Sequence, residues 1–185
     1  QARIDAWRTP RSALSVEAKA EGPLSAWLSE MQRGGLQQTV QGALDQVQVN
    51  AGDGALALTI NMPMSEPQAL VVNGELKGRQ ATVVPAPDWP ALSSGRFDVG
   101  FGPTGVKLKL HQSAWLGRPL TGQLEVLPDG AWQGQVNGVA SLEELAQQWQ
   151  WPDAWRGLLK GESAFRLLAE RSPDSEPWLE LSTDL

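Results

Sequence analysis

From Ser94 to Gly138 apolar and polar residues alternate with a period of two, four times in succession. Phe97, Val99 and Phe101 alternate with Arg96, Asp98 and Gly100, and Val106, Leu108 and Leu110 with Lys107, Lys109 and His111. Leu120, Leu124 and Val126 then stand against Thr121, Gln123 and Glu125, and Trp132 and Val136 against Gln133 and Gln135. Side chains alternate across a strand, so each run has one apolar and one wet face. Gly102-Pro103-Thr104-Gly105 and Pro128-Asp129-Gly130 separate neighbouring runs as tight turns do in antiparallel hairpins. The centre of the chain therefore reads as a one-sided β-meander.

The flanks extend the pattern. Leu14, Val16, Ala18 and Ala20 form a first strand, and Leu56, Leu58, Ile60 and Met62 form another that Pro63 ends. A weaker strand at 43–49 is separated from the latter by a turn at Asn50–Gly54. Leu70, Val72 and Leu76 mark the next, Thr82–Val84 a short one, and Phe165 to Ala169 with Leu179 and Leu181 the last pair. Two helices interrupt the strands. Leu24, Trp27, Leu28 and Met31 follow Pro23 at i, i+3, i+4, i+7, with Gly34-Gly35 as a stop. Leu142, Leu145, Ala146 and Trp149 repeat that face behind a capping box, Ser141 to Glu144, and 152–159 adds a further turn or two. The expected fold is mainly β: a strongly curved antiparallel meander of about ten strands with two short amphipathic helices, in a single unit over residues 1–185.

Composition removes several classes of function. With no cysteine and one histidine the chain has no disulfide framework and lacks the usual transition-metal ligands. A net charge of −6 argues against nucleic acid as a partner and against docking on an anionic membrane surface. No apolar run approaches the roughly 20 residues that span a bilayer. Gln1 and the strand-like ending at Leu185 read as cut points within a longer protein.

About ten strands at ~4.8 Å spacing give a sheet whose apolar face approaches ~1,000 Å². Two helices of ~15 Å cannot cover it. Either the sheet closes on itself as a sandwich or barrel, or it keeps an apolar lining that calls for a lipid-like ligand.

The order of motifs adds a family likeness. GPLSAWL, the strand end Met62-Pro63-Met64, NGELKG, SGRFDVGFGPTGVKL, the segment with Leu116-Gly117-Arg118-Pro119-Leu120, the helix after Ser141, KGESAFRLL and the closing Ser182-Thr183-Asp184-Leu185 follow one another. From about Leu14 onward the chain resembles the central periplasmic region of the YhdP branch of AsmA-like proteins. That resemblance implies a U-shaped sheet with an apolar groove, in a protein anchored in the inner membrane of a Gram-negative envelope and reaching toward the outer membrane. Phospholipid acyl chains would be its cargo, with no cofactor and no enzymatic step. The groove lining would be Leu56, Leu58, Ile60, Met62, Leu70, Val72, Leu76, Phe97, Val99, Phe101, Val106, Leu108, Leu110, Leu124 and Val126. The helix faces Leu24, Trp27, Leu28, Met31, Leu142, Leu145 and Trp149 would plug or narrow it. The alternative is a closed sandwich or barrel that binds a glycan or another envelope protein.

Residues with catalytic potential have structural explanations. His111 sits on the polar parity of its strand, and Glu143 and Glu144 suit the first turn of a helix. Asn50–Gly54 lacks the spaced carboxylates of a calcium loop, and Gly161–Phe165 fails the nucleophile-elbow pattern. Nine tryptophans without a tyrosine read mainly as packing aromatics, and only Trp178 falls on a wet strand face, where a sugar platform would lie.

Overall fold

The computed structural model describes residues 2–5, 12–33, 48–84, 90–148, 150, 152 and 161–183, leaving aside the side chains of residues 2–5, 30–33, 142, 145 and 148. Among these residues ten strands form one antiparallel sheet in strict sequence order. They are β1 (Ala2–Asp5), β2 (Ala13–Pro23), β3 (Gln48–Pro63), β4 (Val71–Val84), β5 (Leu92–Gly102), β6 (Gly105–Trp115), β7 (Arg118–Val126), β8 (Trp132–Ser141), β9 (Glu162–Arg171) and β10 (Trp178–Thr183). β1 pairs only with β2 and β10 only with β9, so the sheet is open and does not close as the sandwich or barrel reading requires. Helix α1 (Leu24–Arg33) follows β2, and α2 (Leu142–Gln148) follows β8.

Short polar turns connect the strands. Pro103-Thr104 links β5 to β6, with Gly105 at φ +113°. Leu116 and Gly117 link β6 to β7 with φ values of 51° and 76°, the double positive φ of a type I′ hairpin. After β7, the backbone N–H of Ala131 donates to the Asp129 carboxylate at 3.0 Å, an Asx turn that returns the chain into β8.

Two expectations are corrected. Asn50–Gly54 is no turn: β3 runs through it for 16 residues, taking up two irregularities between Val49 and Asp53. Glycine and small residues there form bulges and leave room for a helix. Likewise Val71–Val84 is one strand, not two, with its interruption at Gln80, whose φ is 50°. The weak strand expected at 43–49 falls mostly outside the described residues, as do the Gly34-Gly35 stop and the helical turns expected at 152–159, of which only Pro152 is described and is not helical. β1 lies ahead of the first strand that alternation had indicated.

Bulges line up across the sheet. Register shifts fall at 49–53 against 79–83 (β3/β4), 78–83 against 92–97 (β4/β5), 93–97 against 110–114 (β5/β6) and 110–113 against 120–122 (β6/β7). Each inserts residues that bend and twist its strand, and together they coil one end of the sheet. Both helices adjoin that end.

Candidate functional site: an open apolar sheet face

Directly paired residues share a face of the sheet, so the register assigns every side chain. One row runs Ala20, Leu56, Leu76, Val99, Leu108, Leu124, Gly134, Ala169, Leu179 across β2 to β10. Another runs Gly22, Gly54, Gly78, Phe97, Leu110, Gly122, Val136, Leu167, Leu181. Neither row contains a polar side chain. Between β2 and β10 each spans eight inter-strand steps, about 38 Å at ~4.8 Å per step. A third row carries Ala18, Leu58, Gly74, Phe101, Val106, Val126 and Trp132 before it ends on Arg171. Val16 with Ile60 and Val72, and Leu14 with Met62, complete the face.

Fourteen of the fifteen residues expected to line a groove thus stand together on this face. Leu70 does not: it follows a single 3₁₀ turn (Pro67–Ala69), precedes β4, and is exposed. Strict alternation missed a further row, Val49, Val83, Leu92 and Trp115, paired in that order beyond the bulges. Each bulge reverses the parity of its strand, and apolar residues switch from even to odd numbers, or the reverse, to remain on the same face. The signal was present in Ala81 and Val83, apolar at odd positions after Val72 and Leu76 at even ones.

Large side chains on this face lie across glycines. A Cβ at Gly74 would fall within the Phe101 ring, and one at Gly78 within the Phe97 ring. Leu120 and the Phe165 ring similarly occupy the space over Gly138, at 2.8 and 3.0 Å from where its Cβ would be. The rings therefore flatten onto neighbouring strands, an aromatic cover for glycine that keeps the surface low and continuous.

Among the described residues the face is covered only at its bulged end. Leu24 of α1 is 3 % exposed and packs with Leu76 and Ala81, while Trp27, Val49, Leu56, Val83, Phe97 and Val99 surround this cluster. Gly54 makes the seat: its missing Cβ leaves room for Leu24 and Trp27. A second cluster joins Trp115, Leu120 and Ala140, with the Trp115 and Phe165 rings edge to face at 6.1 Å. Ala146 of α2 is completely buried, and Leu28 of α1 is half-buried. Side chains of Met31, Leu142 and Leu145 are not described, and Trp149 lies outside the described residues.

Arg118 holds the second helix. Its guanidinium donates to Glu144 at 2.6 Å, to Glu162 at 2.8 and 3.1 Å, and to the Leu116 carbonyl at 3.3 Å, joining α2, the start of β9 and the β6–β7 turn. Hydrogen bonds to the two carboxylates raise the Arg118 pKa further above its ordinary value. Ser141 caps α2 by accepting from the backbone N–H of Glu144 at 3.3 Å. The Glu144 side chain binds Arg118, so this half of the expected capping box serves a tertiary contact.

Away from α1 and α2 the face has no second layer among the described residues. Among all the described residues only seven apolar side chains are buried, three of them in the α1 cluster, and no large side chain is below 2 % exposure. The chain exposes 12129 Å², against roughly 8,700 Å² for a compact monomer of 20.0 kDa. At the β10 edge Leu179 and Leu181 are exposed on the apolar face.

The opposite face is polar. One of its rows reads Lys19, Ala57, Glu75, Gly100, Lys107, Glu125, Gln133, Glu170, Trp178, and the next reads Glu21, Ala55, Lys77, Asp98, Lys109, Gln123, Gln135, Leu168, Glu180. Lys107 pairs with Glu125 at 2.9 Å, and that hydrogen bond holds the Glu125 carboxyl below its ordinary pKa. His111, expected as a solvated surface residue, is half-buried and meets Asp98 at 2.7 Å. Two hollows open on this face, of about 390 Å³ over β6 to β10 and about 480 Å³ over β2 to β4.

Among the described residues no group of His, Cys, Asp and Glu could hold a metal ion, and no helix is long and apolar enough to cross a membrane. No protein-family model matches the chain, and neither a characterised protein nor a solved structure does. What the fold defines is a class: an open, two-faced antiparallel sheet with one face apolar from β2 to β10.

Proposed function

We propose that the chain is a non-enzymatic stretch of a lipid-transfer bridge, of the AsmA-like YhdP type its motifs resemble, working in the periplasm of a Gram-negative envelope. Its cargo is phospholipid, whose acyl chains lie on the apolar face while the headgroups stay in water. The observation that carries this reading is the pair of apolar rows, continuous over nine strands and, among the described residues, without a covering layer away from the two helices.

The physical argument is one of solvation. Each acyl CH₂ costs about 0.8 kcal/mol in water, so a chain of a dozen or more carbons meets a barrier of order 10 kcal/mol when it leaves a bilayer unaided. A surface that presents leucine, valine and phenylalanine on most strands, with glycine or alanine between them, removes most of that cost along the rows. Because the rows offer no preferred polar anchor, a chain can slide from one strand to the next without leaving a deep minimum. The flattened Phe101 ring over Gly74 keeps the uncovered path free of a side chain that would block it. Helix α1 packs on Leu56, Leu76, Phe97 and Val99, so from β3 to β5 the two rows run beneath it and the open path there follows the third row, Leu58, Gly74 and Phe101.

The test is to place charges along the path. Leu58→Asp with Leu124→Asp, made in the full-length protein in cells, will reduce phospholipid delivery to the outer membrane at unchanged protein level. Thr59→Asp with Gln123→Asp, on the wet face, will leave delivery intact. Equal loss from both pairs, or no loss from the first, would overturn the reading.

A further inference from the structure

The hollow of about 390 Å³ on the polar face has a lining unlike the rest of that face. Its volume falls in the roughly 300–1,000 Å³ range of small-ligand clefts. Its floor is formed where two polar rows cross five strands, from β6 to β10. Trp178 closes it at the β10 end, and the residue is 49 % exposed. Three other tryptophans have described side chains. Trp27 and Trp115 belong to the two apolar clusters, and Trp132 lies on the apolar face. Trp178 is the exception, a large ring standing in water beside a cavity.

Charge in the hollow is balanced. Lys107 and Lys109 face Glu125 and Glu170, and Lys107 and Glu125 are already paired at 2.9 Å. An anion would meet two carboxylates and a cation two ammonium groups. A neutral ligand meets neither penalty. Gln133 donates to Glu125 at 3.4 Å and keeps its amide oxygen as an acceptor, while Gln123 and Glu170 make no side-chain hydrogen bond among the described residues. Amides and carboxylates in fixed rows beside a flat indole match one chemistry closely: a sugar ring has a C–H face that stacks on an aromatic ring and a rim of hydroxyls that both donate and accept.

We propose that this hollow is a binding site for a neutral saccharide, with Trp178 as the stacking platform and Gln123, Gln133 and Glu170 as the hydroxyl-reading groups. The site lies on the face opposite the apolar rows, so a bound saccharide and a bound acyl chain do not compete. It does not depend on the lipid reading. The second hollow, between β2 and β4, has no aromatic side chain in its lining and serves as an internal comparison.

Isothermal titration of the intact protein with maltotriose, chitotriose and cellotriose, each at millimolar concentration, tests the proposal. At least one trisaccharide will bind, and Trp178→Ala will weaken it by about tenfold or more, the loss of one stacked ring. Gln133→Ala will weaken it less, and Lys77→Ala, in the second hollow, will not change it. Circular dichroism of each variant checks the fold, and Trp178→Phe, which keeps a ring, will restore part of the affinity. Retention on starch granules, chitin or cellulose indicates a polymeric ligand, and binding of the free trisaccharide alone indicates a short one; both are neutral saccharides. The proposal fails if none of the three trisaccharides binds, or if binding survives Trp178→Ala undiminished.

Discussion

Leu76 and Leu124 stand in the same cross-strand row, and truncating each to alanine separates an open face from a covered one. Leu76 is 6 % exposed and lies under Leu24 of α1, with Phe97 and Val99 beside it. Removing its isobutyl group leaves a void that the clamped helix and the flattened Phe97 ring cannot fill. Transfer and cavity terms then add, to about 2–5 kcal/mol. Leu124 is only half-buried and has Gly134 next to it in the row. Its truncation leaves a dent open to solvent, so the cavity term vanishes. About half of the ~1.5–3 kcal/mol for burying a leucine remains, roughly 1 kcal/mol. Urea unfolding followed by circular dichroism measures both, with an unchanged m-value showing that the two-state comparison holds. For a chain of this length each kcal/mol lowers Tm by about 2–4 °C. Leu76→Ala will therefore be the more damaging by at least twofold. If Leu124→Ala costs as much as Leu76→Ala, a second layer covers the face and the reasoning from an open sheet is wrong.

Three further outcomes follow from the contacts. Gly74→Ala will push the Phe101 ring upright at a cost of about 1–3 kcal/mol, and Phe101→Leu in the same chain will recover most of it, a coupling read from a double-mutant cycle in urea. Arg118→Ala will release α2 from β9, and amide hydrogen exchange over 142–148 will speed up while exchange in β3 and β4 stays slow. Glu125, whose pKa is depressed in the folded state by Lys107, contributes stability above the ordinary carboxylate range and loses it as pH falls through its folded value. Glu125→Gln will accordingly flatten the acid limb of the stability profile between neutral pH and acid. The same slope in both proteins would refute that assignment.

Much of this architecture is legible in the sequence because a one-sided sheet writes its burial pattern at period two. The four alternating runs from Phe97 to Val136 become β5 to β8, and Gly102–Gly105 and Pro128–Gly130 become their turns. Where the chain departs from period two, sequence reasoning fails for a specific reason. A bulge adds one residue and inverts parity, so Val49, Val83, Leu92 and Trp115 look like outward residues until the register is known. Gly52 and Gly54 look like a turn because glycine marks both reversals and close approaches, and here Gly54 makes space for Leu24 and Trp27. Closure of a sheet is a property of its first and last strands, which periodicity within strands does not encode. Trp178 was the one tryptophan whose parity pointed to the wet face, but the hollow beside it depends on five strands meeting in register.

The central claim is that the apolar face carries lipid, and site-specific photo-crosslinking tests it directly. p-Benzoylphenylalanine at Leu108, in the uncovered part of one of the two nine-strand apolar rows, and at Lys109, its neighbour on the wet face, should be introduced separately into the full-length protein in cells. After irradiation, mass spectrometry of the purified protein reports what each position touched. The account predicts a phospholipid adduct at position 108 and none at 109. Crosslinks from position 108 to protein alone, or lipid adducts of equal yield at both positions, would contradict it.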